Sequence, residues 1–188
     1  MAMEIVDGTG TGYKAEVNEA KQLEVRSVDI LRSEWECHNN SLAFCMKFDV
    51  AAANSAADEA LLYIKNARDK DMIIDEIRFI LSAANIVYAQ FVTGTAGGTP
   101  TTLYPANMHG GQSKDTESTF YQDDALSGLT AVTDAIVMWE YCAAADVRKY
   151  KPTSTVLIPK NQALAVYVET QQAQTLQGVI LYHYENAH

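Results

Sequence analysis

The chain has 188 residues, of which 48% are hydrophobic and 20% are charged, a balance that fits a folded globular protein and excludes a disordered one. Its formal net charge of −10 makes nucleic acids and anionic membrane surfaces poor partners, because both would be repelled. The sequence has no run of about 18 apolar residues and no secretory signal pattern, so we expect a protein retained in a cytoplasm or in particles assembled there.

The N-terminal segment, residues 1–20, is predicted to form an extended arm or a hairpin. It contains the glycine-rich run 7–12, and closely spaced glycines allow backbone N–H groups to approach a phosphate. However, no convincing strand precedes this run, and no Gly-Lys-Ser/Thr sequence follows it. A nucleotide site is therefore not expected here, and no cofactor is predicted.

The remaining residues, 21–188, are predicted to form one β-sandwich domain, because apolar and polar residues alternate with period 2 in several segments. In the clearest segment the residues that share one face are Leu42, Phe44, Met46, Phe48 and Val50. The alternation predicts strands over 41–50, 73–81, 86–92, 136–142, 163–169 and 178–184. In the fourth of these, Val137, Trp139 and Tyr141 alternate with Met138 and Glu140.

Two segments interrupt this pattern. Residues 51–70 have helical propensity, but strands over 61–66 and 72–74 with a loop between them fit better, so we expect a hairpin preceded by a short helical turn over 54–59. Residues 93–134 are polar and too long for a hairpin loop, which predicts extra short strands or an excursion that reaches a neighbouring molecule. Short strands separated by turns indicate an all-β, jelly-roll-like sandwich with an extended N-terminal arm.

A possible acyl-transfer site is suggested by His109-Gly110-Gly111, with Ser113 and Asp115 close by. Such a site needs a nucleophile raised on a strand-to-helix turn, and no Gly-x-Ser-x-Gly sequence is present. We therefore interpret this stretch as a glycine-rich surface loop. His183, in the last predicted strand, is expected to pack or to form a hydrogen bond and not to catalyse.

Metal binding was considered at two places. Asp115, Glu117, Asp123 and Asp124 provide hard oxygen ligands for Ca²⁺, but their spacing does not match a known ligand ladder, so a solvated acidic loop is favoured and an ion stays an alternative. The second candidate set would provide sulfur and nitrogen ligands, and it consists of Cys37, His38 and Cys45. Adjacent residues of an extended backbone point to opposite sides, so no metal site is predicted there.

The three cysteines, Cys37, Cys45 and Cys142, form no Cys-x-x-Cys pair and are predicted to be buried small hydrophobic residues. Trp35 and Trp139 are suited equally to a core and to an interface. Paired carboxylates for polysaccharide cleavage are not selected by any spacing. The sequence thus predicts no catalytic, cofactor-binding or metal-binding residue, and favours a binding or structural role.

Five stretches resemble segments of known structural proteins. Residues 6–17 (VDGTGTGYKAEV) followed by 22–28 are similar to the N-terminal segment of many phage virion proteins. Residues 61–66 with 71–77, and residues 156–168, resemble paired strands of the jelly-roll proteins that decorate tailed-bacteriophage capsids, which are also called cement proteins.

This resemblance implies a structural, non-enzymatic virion protein that binds the outer surface of a phage capsid and stabilises it. The expected partners are the major capsid protein and further copies of the chain, as a homo-oligomer and commonly a trimer. The expected location is the capsid surface of a virion assembled in the host cytoplasm. Two alternatives stay open, namely a tail, baseplate or head-fibre component, and a small polysaccharide-acting enzyme.

Overall fold

The computed structural model describes residues 5–6, 14–17, 23–24, 42–52, 59–109, 114–152, 155–169 and 173–186. The chain divides into two compact units, residues 1–31 and residues 32–188. The first unit contains a three-stranded antiparallel sheet of strands β1 (Ile5–Val6), β2 (Lys14–Val17) and β3 (Leu23–Glu24), in that order. The glycine-rich run 7–12 lies outside the described residues.

The described residues of the second unit form eleven strands. They are β4 (Ala43–Ala52), β5 (Glu59–Lys65), β6 (Lys70–Leu81), β7 (Asn85–Gly97), β8 (Thr101–Thr102), β9 (Ala106–Asn107), β10 (Thr119–Cys142), β11 (Val147–Tyr150), β12 (Val156–Ile158), β13 (Ala163–Val168) and β14 (Gln174–Asn186). The described residues contain no α-helix, and therefore none that is long and apolar enough to span a membrane.

The strands of this unit form two antiparallel sheets that share one core. Sheet I has the order β11-β6-β14-β4-β9, with β12 also paired to β6, and sheet II has the order β5-β13-β7-β10-β8. When β11 and β12 are counted as one interrupted strand, the orders β4-β14-β6-β11 and β5-β13-β7-β10 are those of a jelly roll. The predicted all-β, jelly-roll-like sandwich is therefore confirmed.

The core between the sheets follows the predicted alternation. On β4, Phe44, Met46 and Phe48 are buried, whereas Lys47 and Asp49 are exposed on the other face. Leu164 and Val166 of β13 belong to the same apolar cluster. Since side chains from both sheets meet in this cluster, their burial provides the main stabilisation of the sandwich.

Sheet II also buries its second face, which the alternation did not predict. All six residues of β13 are buried, and Tyr63, Ala165 and Tyr167 belong to a second apolar cluster with Leu126. β10 pairs with β5 through Leu126 and with β7 from Ser127 onward, so the pairings of β5, β13, β7 and β10 close into a cycle. The curled ends of β7 and β10 thus cover the outer face of the sheet.

The hairpin predicted within residues 51–70 is wrong. β5 and β6 are strands, but β5 belongs to sheet II and β6 to sheet I. The reason lies in Asn66, whose side chain donates hydrogen bonds to the carbonyl oxygens of Lys70 (2.7 Å) and Ile158 (2.8 Å) and holds the chain in an arch between the sheets. The helical turn predicted over 54–59 lies mostly outside the described residues, and β5 already begins at Glu59.

The polar stretch 93–134 contains the predicted extra short strands, β8 and β9, but it also contains most of β10. This strand begins at residue 119, well before the predicted start at 136. Its middle part is polar because it is exposed, and this polarity led to the late predicted start. Between Ala131 and Ile136 the pairing with β7 shifts, and Asp134 adopts a positive φ of 56°. A bulge of this kind turns the following residues toward a new direction.

Candidate functional site

The carboxylate of Asp115 is the centre of a buried hydrogen-bond network. Its side chain is held just before β10 and is 1% exposed. Its Oδ2 atom accepts hydrogen bonds from the hydroxyls of Tyr184 (2.6 Å) and Tyr182 (3.0 Å), and its Oδ1 atom lies 3.0 Å from Nη2 of Arg68. Both carboxylate oxygens are therefore occupied by protein groups.

The same network extends to the arch between β5 and β6. The Tyr184 hydroxyl lies 2.7 Å from Ser118 Oγ, and the Arg68 guanidinium lies 4.7 Å from the centroid of the Tyr184 ring. Burial, with a further contribution from the negative charge of Asp115, raises the pKa of Tyr182 and of Tyr184. These tyrosines stay protonated and donate, so the network anchors two connecting segments on β14 and presents no reactive group.

A second polar cluster surrounds His183 on the other face of β14. The ring is 1% exposed, with Nδ1 2.9 Å from Asp75 Oδ2 and Nε2 3.0 Å from Glu185 Oε1. Asp75 is the extra residue of a bulge in β6, where Leu181 pairs with Glu76 but Tyr182 pairs with Ile74. Burial lowers the pKa of His183, but hydrogen bonds with the two carboxylates and their charges outweigh it, so the pKa is raised.

A third cluster collects positive charge around a single carboxylate. Glu76 has a side chain that is 5% exposed; Arg78 is in contact with it, and the Nζ atoms of Lys149 and Lys151 lie 3.0 and 3.7 Å from it. Burial raises the pKa of Glu76, but the neighbouring cations outweigh it and lower the pKa. Three cations around one anion leave an excess of positive charge at this point of an acidic protein.

The outer face of sheet I also carries a row of three basic residues, which we name the basic row: Lys47, Arg78 and Lys149. The register places Lys47 and Arg78 on either side of Val179, and Lys149 directly opposite Arg78. A shallow groove of about 340 Å³ runs beside this row and is lined in part by Ile80. These basic residues are distant in sequence, and the register of four strands brings them together.

A further surface is formed by exposed apolar side chains of β10, which we name the β10 surface: Val132, Ile136, Trp139 and Tyr141. Trp139 is 54% exposed and Tyr141 55% exposed, whereas Met138 between them in sequence is buried in the core. Trp139 pairs with Tyr88, which stacks on Tyr167 with ring centroids 5.0 Å apart. Trp139, which suited a core and an interface equally, is thus on the surface.

The structure does not bring the predicted candidate ligands together. Asp115 is buried while Glu117 of the same acidic loop is largely exposed, and no group of three or more His, Cys, Asp or Glu residues suited to a metal ion occurs in the described part of the chain. Residues 37–38 and 110–113 lie outside the described residues. The backbone N–H of His109 donates to Asn107 in a turn.

The cysteines were predicted to be buried, and this holds only in part. Cys142 is buried and is confirmed as a core residue, whereas Cys45 is half-buried on the outer face of sheet I. Burial raises the pKa of the Cys45 thiol, which makes it a weak nucleophile. His183 packs and forms hydrogen bonds, as predicted, although its two carboxylate partners were not foreseen.

The features that sequence reasoning missed are the Asp115 network and the basic row. The only signal for the network was the pair of tyrosines at alternate positions of the last strand, next to a loop with many acids. The basic row gives no local signal, because its members are distant in sequence. The sequence matches no protein-family model, and no curated protein is detectably similar to it.

Proposed function

We propose that this chain is a structural protein of a tailed-bacteriophage virion, which binds the outer surface of the capsid and further copies of itself as a decoration protein. The observation that carries the proposal is the β10 surface, an exposed apolar area on a jelly-roll body. The resemblance of the strand segments to capsid decoration proteins provides the particular setting. The proposed role requires no catalytic residue.

The β10 surface has the composition of a protein contact. Ile136, Trp139 and Tyr141 are each more than half exposed and belong to the same half of one strand. Exposed apolar areas of this kind are typical of protein interaction sites, and aromatic residues are enriched at their centres. The interaction partner we assign to this surface is the capsid shell.

The body behind the surface is suited to a mechanical role. The buried carboxylates of Asp115 and Glu76 are both paired with cations, and the second face of sheet II is packed against its own strands. Satisfied buried networks hold a protein in one conformation. A rigid clamp that buries about 1,000 Å² against a shell raises the cost of separating shell subunits, and many copies act together.

The energy that the surface can contribute follows from its two large aromatic residues. A Trp or Tyr buries about 150–250 Å² when fully covered, so about 100 Å² of each is left to bury here. At about 25 cal/mol per Å², each contributes up to about 2.5 kcal/mol to binding. Removing both side chains should therefore weaken binding to shells more than a hundredfold.

Co-sedimentation with empty capsids of the virus that encodes the chain tests the proposal. The wild type should sediment with the shells at a copy number in the hundreds, and Trp139→Ala/Tyr141→Ala should stay in the supernatant. Tyr104→Ala is the matched control, because Tyr104 is 59% exposed but lies outside the β10 surface. Failure of the wild type to bind shells would refute the proposed function, and a few copies per particle would indicate a tail component instead.

A further inference from the structure

We infer that the basic row of one copy binds an acidic bulge of a second copy, residues 123–125, so that copies of the chain join head to tail. The acidic bulge contains Asp123 and Asp124 of β10. This inference deepens the proposed function and rests on its self-association, because it identifies the contact between copies.

The basic row has positive charge that the described residues do not neutralise. Arg78 and Lys149 share the single carboxylate of Glu76 with Lys151, and their side chains are 50% and 47% exposed. Lys47, at the other end of the row, is exposed and takes part in none of the ion pairs of the described residues. Like charges placed side by side across strands repel, so an anionic partner stabilises this arrangement.

The groove beside the basic row gives the contact a shape. It crosses strands β4, β14, β6 and β11 of sheet I, and its second row, Asp49, Gln177, Ile80 and Val147, follows the register. Val147 is 67% exposed on the edge strand β11. The groove thus offers the apolar side chains of Ile80 and Val147 toward β11 and cations along one rim, while Asp49 and Gln177 make its β4 end polar, so carboxylates of a short segment fit beside Arg78 and Lys149.

The acidic bulge has the complementary properties. Gln122 pairs with Leu62 and Leu126 pairs with Ala60, so the three residues between them stand opposite a single residue of β5 and leave the ladder. Asp124 is exposed, and neither aspartate takes part in an ion pair of the described residues. The Asp123 carboxylate accepts a hydrogen bond from the backbone N–H of Asp124 (2.8 Å), which leaves its negative charge without a cation among the described residues, and such charge complements the cations on the rim of the groove.

The basic row runs across sheet I from Lys47 on β4 to Lys149 on β11, and the acidic bulge is placed beside the β4 end of this row, so the two surfaces are different areas of the molecule. Lys149 belongs to the edge strand β11. The bulge follows Gln122, whose side chain forms two hydrogen bonds with the backbone of Asp49 on β4, three strands away. A contact between two different surfaces is heterologous, and it forms a closed ring or an open chain of copies.

A second copy is the occupant that the charges favour. The chain has a net charge of −10, so any second copy brings acidic residues to the basic row, and the local attraction acts where the surfaces touch. A nucleic acid presents phosphates but no apolar side chains for Ile80 and Val147, whereas a protein segment can present carboxylates and apolar side chains together. The contact depends on charge, so it should weaken as salt increases.

Sedimentation velocity of the full chain, with a matched set of charge reversals, tests the inference without any capsid. The variant Lys47→Glu/Lys149→Glu retains the ion pairs of Arg78 and Lys151 with Glu76. The variant Asp123→Lys/Asp124→Lys changes only the acidic bulge. Each double variant should associate at least tenfold more weakly than the wild type, and a mixture of the two should associate again. The control, Lys114→Glu/Lys160→Glu, has the same change of net charge as the first variant at sites outside the basic row and should associate as the wild type does.

The outcomes separate this inference from the proposed function. A wild type that is monomeric at every salt concentration, or double variants that associate normally, would overturn the head-to-tail contact. Loss in both variants without recovery in the mixture would also overturn it, because recovery is the property that only a direct contact between the two surfaces provides. Shell binding is measured separately through the β10 surface, so either result can fail alone.

Discussion

Replacing Asp115 with asparagine would keep the shape of the side chain but remove the charge that three neighbours share. Tyr182 and Tyr184 donate to one carboxylate oxygen, and Arg68 approaches the other at 3.0 Å. In the variant, the guanidinium retains only the exposed partner Glu117, and the amide cannot accept hydrogen bonds at both of its ends. The variant should therefore fold, but with a markedly smaller free energy of unfolding.

The expected size of this loss follows from the burial of the pair. Removing one partner of a buried ion pair costs about 3–5 kcal/mol, because the remaining charge is left without compensation. A hydrogen bond to a charged group contributes about 1.5–3 kcal/mol, so Tyr184→Phe should cost about that amount. Domains of this kind are stable by about 5–15 kcal/mol, and both variants should stay folded at 25 °C.

Urea unfolding monitored by fluorescence measures these differences. If the carboxylate binds Tyr184 directly, the double variant Asp115→Asn/Tyr184→Phe should lose less free energy of unfolding than the sum of the two single variants. Tyr104→Phe, at an exposed position, should have little effect and serves as the control. A loss below about 1 kcal/mol for Asp115→Asn, or strict additivity of the two changes, would show that the network does not anchor the two connecting segments on β14 as described.

Three further predictions follow from the fold. Because the pKa of His183 is raised in the folded protein, its stabilisation is complete below its unfolded pKa of about 6.5 and is lost as pH rises through the folded pKa. The unfolding free energies of the wild type and of His183→Gln should therefore converge between pH 6 and pH 9. A constant difference between them would contradict this. Gly178→Ala should lower the free energy of unfolding by at least about 1–3 kcal/mol, measured by urea unfolding. The added methyl group would collide with the carbonyl oxygen of Arg78 and lie 2.6 Å from the Phe48 ring. An unchanged midpoint would contradict the close strand packing. Deleting residues 1–18 removes β1 and β2 but no strand of the sandwich, so the variant should keep a cooperative unfolding transition. It should no longer co-sediment with capsids, because an extended arm can add a strand to an exposed sheet edge of the shell, and full binding would exclude the arm from the contact.

The alternation of apolar and polar residues predicted the sandwich, because every second side chain of a strand points into the core between the two sheets. β4 and β14 are predicted within a few residues on this basis, since one face of each is core. The pattern failed where burial has a different period. β13 is buried on both faces, and most of residues 127–134 are exposed along a strand, so neither segment shows a simple alternation of polar and apolar residues.

The partners of a strand are harder to predict than the strand. Strands β5 and β6 are adjacent in sequence and separated by a short loop, which favours a hairpin. Their assignment to different sheets depends on Asn66, which forms hydrogen bonds with a carbonyl group 92 residues away. A contact of that length has no signature in the local sequence.

The candidate surfaces depend on these long-range pairings even more strongly. Lys47, Arg78 and Lys149 come from three strands, and only the combined register of β4, β14, β6 and β11 brings them into one row. The β10 surface likewise depends on the bulge before Ile136 and on Met138, which turns into the core and leaves Trp139 outside. The composition shows that these residues are present, but it gives no information on their arrangement.

The distribution of charge and apolar area explains how one small body can serve two contacts. The apolar β10 surface lies on a strand of sheet II, and the basic row lies on the outer face of sheet I, so a shell contact and a contact between copies need not compete for the same residues. The net charge of −10 opposes unspecific clustering at a distance, since like-charged copies repel until complementary areas are close. On the proposed shell, copies would be held close together at high effective concentration, and a weak contact between basic row and acidic bulge would then be sufficient to link neighbours.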